Sequence, residues 1–151
     1  MILIMSAMLA SALRRLATAE RTLAPGAALF HQGDPMRVMH LVLAGTLHLL
    51  RHQADGAALI LQRAGEGAVL AEASLYAARY HCDAVAAAPS RLLVIPRPVL
   101  RRRLAADPAL AESWAAHLAG QVQAARLRAE ILSLRTVAAR LDAWTATHGG
   151  E

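Results

Sequence analysis

Apolar residues recur at helical spacing at the start of the chain. The pattern predicts a helix over residues 5–21, within an N-terminal helical segment 1–24, which Pro25-Gly26 ends. Arginine and glutamate lie on or beyond the other face, as expected for a helix docked on one side. The apolar positions are Met5, Met8, Leu9, Ala12, Leu13 and Leu16.

A different pattern follows from residue 26, where glycines fall about every ten residues and short apolar runs lie between them. Asp55-Gly56 separates two of these runs and predicts a hairpin, because glycine tolerates the positive φ that tight turns need. Regular short strands with glycine turns indicate an antiparallel sandwich or roll over residues 25–97. The predicted strands are 38–44, 46–52, 57–62, 84–88 and 92–95.

The last third of the chain reads as helical. A short helix is predicted over 99–105, and a long one from Pro108 to about residue 145, closed by Gly149-Gly150. The long helix carries two apolar stripes, and a second stripe needs a partner, for which a symmetric coiled-coil dimer is the simplest. The alternative is one broad face buried within a monomer. The first stripe includes Leu118, Val122, Ala125, Ala129 and Leu132; the second includes Leu127, Ile131, Leu134, Ala138 and Leu141.

Composition and charge narrow the functional classes. The net charge of +5 comes from scattered arginines, and the only run, Arg101-Arg102-Arg103, indicates a solvated helix face rather than a nucleic-acid patch. The single cysteine, Cys82, allows no internal disulfide and fits a reducing cytoplasm. The apolar start of the chain is too short to span a bilayer, so we expect a soluble cytoplasmic protein with no membrane partner.

Candidate chemistry concentrates in residues 65–88. A short helix start at Glu72 faces a strand start at His81-Cys82-Asp83, which is the layout of a cradle for a small ligand. Three consecutive strand residues cannot converge on one ion, so no metal site is predicted. Glu72 is either a pocket residue or simply a carboxylate at a helix start, and Cys82 is by default a buried thiol. No arrangement of catalytic residues is found, so an enzyme is not predicted.

Four segments together resemble one protein family: LFHQGDP (29–35), LVLAGTLHLL (41–50), the Ala71-Glu72 pair and AEILSLRTVAARL (129–141). Over roughly residues 20–145, the chain is similar to the effector domain of the Crp/Fnr bacterial transcription regulators. The resemblance implies an α+β fold, in which an antiparallel β-roll (a double-stranded β-helix or jelly roll) is flanked by an N-terminal helix, a short helix and a long C-terminal dimerisation helix. Residues 98–145 would form the last two helices and 146–151 a tail.

The resemblance also implies a binding site, from which this chain departs. Nucleotide-binding members have Gly-Glu where Ala71-Glu72 stands, and Arg followed by Ser or Thr where Cys82-Asp83 stands. Losing the arginine removes a charge-assisted pair worth about 1.5–3 kcal/mol. We therefore expect no tight binding of cyclic AMP, and the effector stays unknown, with haem ligation by one of several histidines left open. The implied site lies between the roll and the long helix and comprises Ala71, Glu72, Ala73, Ser74, Cys82, Asp83, Leu127 and Ile131.

The resemblance implies the partners as well. Family regulators continue into a winged helix-turn-helix, so DNA would be bound only through a domain absent from this chain. An iron–sulfur cluster is not expected, because its cysteine ligands near the N-terminus are missing. The leading hypothesis is a homodimeric domain that senses a small effector. The alternatives are a degenerate, ligand-free dimerisation scaffold and a weak cyclic-nucleotide or haem sensor.

Overall fold

The computed structural model of the protein describes residues 7–148, and these contain eight strands and four α-helices. Within this range, residues 7–114 form one compact unit and residues 115–148 another. The elements are α1 (Ala7–Leu16), β1 (Ala19–Leu23), β2 (Ala28–Phe30), β3 (Val38–Ala44), β4 (Leu47–His52), β5 (Ala58–Ala64), β6 (Val69–Leu70), a 3-10 turn (Glu72–Ser74), β7 (Asp83–Ala86), β8 (Ser90–Pro96), α2 (Arg97–Ala106), α3 (Pro108–Ser133) and α4 (Val137–His148).

The strands form two four-stranded antiparallel sheets, in the orders β1-β8-β3-β6 and β2-β7-β4-β5. The predicted hairpin joins β4 and β5: Asp55 accepts a hydrogen bond from the Ala57 N–H at 2.9 Å, and Gly56 has a φ of +86°. A two-sheet antiparallel roll with helices at its flanks is the predicted α+β fold, which is confirmed.

The first sheet is buried on both faces at β3 and β6, whereas β1 is exposed except at Leu23. Helices α1 and α2 contact β8 and each other, and they bring Leu9, Leu13 and Leu100 into the core. On β3, both alternating sets of side chains are buried, because the face opposite the helices looks toward the second sheet, where Phe30 stacks on His40. The roll therefore has a continuous core despite its few aromatic residues.

The turn between β3 and β4 contains Gly45, the most tightly packed glycine of the roll. Gly45 has a φ of +87°, and a methyl group there would lie 2.3 Å from the Pro89 carbonyl oxygen. Only a glycine fits this position, because residues with a side chain rarely adopt this φ and because the neighbouring backbone leaves no space for a side chain.

The N-terminal helix is shorter than predicted. It ends at Leu16, and residues 19–23, which the prediction placed in the helix, form β1 and pair with β8 from Ala19–Val94 to Leu23–Ser90. The apolar spacing stops at Leu16, and beyond it the backbone forms hydrogen bonds to β8 on one side, because β1 is the edge strand of its sheet. The N-terminal segment 1–24 is thus a helix followed by a strand, and residues 1–6 lie outside the described range.

The prediction of one long C-terminal helix is also wrong. The structure has two helices, α3 and α4, with a break at residues 134–136. Thr136 Oγ1 accepts a hydrogen bond from the Ala139 N–H at 3.1 Å, which caps the start of α4, and Arg140 Nε donates to the Leu134 carbonyl at 2.7 Å. A side chain therefore satisfies one backbone group at each helix end of the break. Gly149-Gly150, predicted to close the helix, lies outside the described residues.

Candidate functional site

The predicted site is built around a tight turn between β6 and β7. Ala71 has φ 55° and ψ 37°, the left-handed conformation, and the 3-10 turn Glu72–Ser74 follows directly. The Ser74 N–H donates to the Ala71 carbonyl at 2.8 Å. The expected helix start at Glu72 is thus one short turn, and no longer helix stands behind it to add a macrodipole.

Glu72 and Ser74 are buried in this turn, whereas Ala73 is exposed. The hydroxyl of Ser74 lies 2.7 Å from His81 Nδ1, a hydrogen bond that ties the turn to the start of β7. Glu72 is 6% exposed. A carboxylate so far from water is costly unless the surroundings compensate it. Glu72 therefore belongs to the interior of the predicted binding segment, residues 71–74 and 82–83, which we call the cassette.

Cys82 lies against the same turn as a neutral thiol. Its side chain is fully buried, and burial raises the pKa of the thiol to about 11, with Asp83 and Glu72 adding to the rise and Arg51 opposing it. The interpretation of Cys82 as a buried thiol is confirmed. A protonated thiol is a weak nucleophile and a weak hydrogen-bonding partner, so it does not replace a guanidinium.

Asp83 is engaged in holding two strands together. Its Oδ1 accepts a hydrogen bond from the Gln32 N–H at 2.6 Å, while His52 Nε2 and His31 Nδ1 lie 3.4 Å and 3.8 Å from its two oxygens. The backbone bond links the start of β7 to the turn after β2. The carboxylate is therefore used structurally, and Cys82 and Asp83 have different surroundings, as side-chain alternation predicts.

Arg51 is a residue that the sequence analysis missed. The β4–β7 register pairs Leu50 with Asp83, which places Arg51 across from Cys82. Its Nε donates to the His81 carbonyl at 2.8 Å, and its charge is close enough to lower the pKa of the Cys82 thiol. The sequence pattern points to a cation only at position 82, because the strand pairing that brings Arg51 there is not visible in a sequence.

Leu127 and Ile131 belong to the unit formed by residues 115–148. There they line a cavity of about 350 Å³ between α3 and α4, together with Leu132 and Trp144. Of the residues predicted for the dimer helix, Val122 is 48% exposed and Leu132 69% exposed, Ala125 and Ala129 are exposed, and Leu118 is partly buried. The predicted dimer stripe is thus largely uncovered in a single chain.

Among residues 7–148 no group of three or more metal-ligating side chains is close enough to hold an ion. Within the same range no helix has the length and hydropathy needed to cross a bilayer.

Comparison with known proteins places the fold. Residues 20–107 match the family model of the cyclic nucleotide-binding domain. The Thermus thermophilus catabolite activator protein is 26% identical, with a TM-score of 0.70 over 85% of this chain, and the chain spans 60% of its length. The sensor domain of the transcriptional regulator DNR from Pseudomonas aeruginosa is 26% identical, with a TM-score of 0.63, and 79% of this chain covers 77% of that one.

The N-terminal domain of a Streptomyces coelicolor transcriptional regulator gives a similar result: 26% identity and a TM-score of 0.62, with 80% of this chain covering 84% of that one. Among curated protein sequences, none matches the chain. Two of these three structures are therefore single domains of transcriptional regulators, one a sensor domain and the other an N-terminal domain.

Proposed function

Because the chain belongs to the cyclic nucleotide-binding domain family, we propose that it is the effector-sensing and dimerisation domain of a Crp/Fnr-type transcription regulator. The observation that carries the proposal is the match over residues 20–107, joined to a cassette that keeps Glu72 and has Arg51 beside it. The protein would be cytoplasmic and would not be an enzyme. DNA recognition would belong to the whole regulator, of which this chain spans only a part.

The proposed effector is a small molecule with an anionic group, bound at the cassette. Arg51 is exposed and spends its Nε–H on the His81 carbonyl, so the other guanidinium N–H groups are left to bind an anion. It lies on the strand next to the position where nucleotide-binding relatives carry their arginine. The chain thus retains a cation near the cassette, although it comes from a different strand, and a weak cyclic-nucleotide or haem sensor remains within the proposal.

Calorimetric titration with cyclic AMP and cyclic GMP, and a spectroscopic titration with haem, test this site. If Arg51 holds the anion, Arg51→Gln weakens binding about tenfold or more, the expected loss for a charge-assisted hydrogen bond. Arg63→Gln, which removes the same charge from the exposed neighbouring strand β5, is the matched control and leaves affinity unchanged. Equal weakening in both variants would contradict a local role for Arg51.

A second candidate function is a ligand-free dimerisation scaffold. Ala71 and Cys82, the two departures from the nucleotide-binding pattern, are both buried, at 2% and 0% exposure, so apolar groups fill the cassette where a binding cation is expected. The titrations separate the candidates: no saturable binding of either nucleotide or of haem at millimolar concentration favours the scaffold.

The proposed dimer rests on the uncovered apolar residues of the unit 115–148. Leu132, Leu141 and Trp144 are 69%, 59% and 52% exposed, more than a solvated helix pair of a monomer needs to display. Leu132→Glu should convert a dimer to a monomer in sedimentation equilibrium at micromolar concentration. The control is Leu59→Glu, the same change at a 51% exposed leucine of β5. A monomeric unmodified protein would contradict the proposal.

A further inference from the structure

A second cavity opens in the unit formed by residues 7–114, away from the cassette residues. It has a volume of about 530 Å³ and lies where β1, β2 and β3 meet the loop that follows β2. Its lining combines apolar and aromatic side chains with a few charged ones, the composition typical of small-molecule sites. None of the residues predicted for the cassette site lines it.

One wall of this cavity, here called the aromatic cleft, is a stack of three rings. Phe30 lies 3.8 Å from Tyr80 between ring centroids, at an interplanar angle of 6°, and 6.1 Å from His40 at 26°. The Tyr80 hydroxyl donates to the Val38 carbonyl at 2.5 Å, which fixes the ring. All three rings are at least 95% buried, so the wall is set before any ligand arrives.

His40 is the polar group buried deepest in the wall. Its side chain is 3% exposed, and its Nδ1 has no hydrogen-bonding partner within residues 7–148. Burial, with a smaller contribution from the charge of Arg21, lowers the pKa of His40 to about 4. The imidazole is therefore neutral at pH 7 and can offer or accept a hydrogen bond. Buried polar atoms are rarely left unsatisfied, and those that are need an explanation such as a ligand.

The charged groups at the cleft favour an anion. Arg21 donates one long hydrogen bond, 3.4 Å, to the Leu29 carbonyl. Arg37 forms no ion pair or side-chain hydrogen bond with residues 7–148, although it lines the cavity and is exposed. Asp34 is the acidic residue of the lining, and its Oδ2 accepts the His31 N–H at 2.9 Å. The two arginines and the aspartate give the cleft a net charge of +1. The aspartate already accepts a hydrogen bond within its own turn.

We infer that the aromatic cleft binds a small organic anion with an apolar body and one carboxylate, held by Arg21 and Arg37 against the ring wall. The apolar body would lie in the cavity against the narrow part of Phe30, Tyr80 and His40 that the fold leaves uncovered. The carboxylate matches the planar fork of a guanidinium, and Arg37 is available to form it. This site is separate from the proposed effector site and does not depend on it.

Benzoate is a suitable probe, because it is an apolar ring bearing a single carboxylate, and benzyl alcohol is its uncharged counterpart. Nuclear magnetic resonance of the whole chain would follow the side-chain signals of Arg21, Arg37 and His40 during each titration. We expect saturable shifts with benzoate at millimolar concentration and at least about tenfold weaker binding of benzyl alcohol, the loss expected for a charge-assisted contact.

Variants locate the binding. Arg37→Gln should weaken benzoate about tenfold or more, while Arg63→Gln, which removes the same charge elsewhere on the surface, should not. Arg51→Gln also leaves benzoate binding unchanged, which separates the aromatic cleft from the cassette. All three replaced arginines are exposed, and thermal unfolding verifies that the variants fold. Shifts that do not saturate, or that are equally strong in Arg37→Gln and Arg63→Gln, would overturn the inference.

Discussion

Replacing His40 by leucine tests how the roll holds a buried titratable group. His40 is 3% exposed on β3, with Phe30 stacked on it and Arg21 nearby. Leucine has a similar size and no proton to bind, so the substitution removes the titration and leaves the apolar contacts largely in place. It also removes an imidazole nitrogen that has no hydrogen-bonding partner in residues 7–148.

The size of the effect follows from the two pKa values. The pKa of His40 falls from 6.5 to about 4 on folding, so the unfolded chain binds a proton that the folded chain rejects. Native stability is thus lost as the pH falls through 6.5 and stops falling below about pH 4. Protonating the unfolded histidine destabilises the native protein by about 2 kcal/mol between about pH 7 and pH 5, and by about 3 kcal/mol in all.

Urea unfolding at about pH 7, 6 and 5 gives the free energy of unfolding of both proteins. Carboxylates and other histidines titrate equally in the two, so the difference between them isolates His40. We expect the free energy of unfolding of the leucine variant, relative to that of the unmodified protein, to rise by about 2 kcal/mol as the pH is lowered from about 7 to about 5. A difference that does not change with pH would refute the argument that His40 is buried in its neutral form.

Three further predictions concern other parts of the chain. Cys82, the single cysteine, should react with a thiol reagent at least about a hundredfold more slowly in the native protein than in denaturant, because its pKa is raised to about 11 and it is buried. Gly45→Ala should cost at least about 2 kcal/mol in urea unfolding, whereas Gly26→Ala, with a similar φ of +83° but open space around it, should cost about 1 kcal/mol. Thr136→Ala should lower the helicity of α4 in circular dichroism by removing a cap worth about 1 kcal/mol.

The sequence predicts the roll well because its signals are local. A strand such as 38–44 is bounded by turn residues, and the Asp55-Gly56 hairpin requires nothing from distant segments. The errors arise where distant contacts or a single cap decide. Residues 19–23 become a strand only because β8 lies beside them, and the long helix is divided because the hydroxyl of Thr136 competes with the continuing helical pattern.

The candidate site is less predictable for the same reason. Position 82 shows that an expected cation is missing, but it cannot show that the register of β4 places Arg51 opposite. Nor does the aspartate at 83 reveal that its carboxylate is used by the Gln32 amide. His40 reads as one ordinary histidine among several, and only the folded roll shows that it is buried against Phe30.

The left-handed Ala71 has a consequence for how readily the cassette opens. Glycine adopts this conformation freely, whereas a methyl-bearing residue there costs about 1–2 kcal/mol. Since about 1.4 kcal/mol is a factor of ten in an equilibrium constant, the turn that carries Glu72 would visit open states several-fold more often than a glycine-bearing turn. An effector that binds the closed form of this turn would therefore act on a segment that already opens often. Its binding would reduce how often the turn opens.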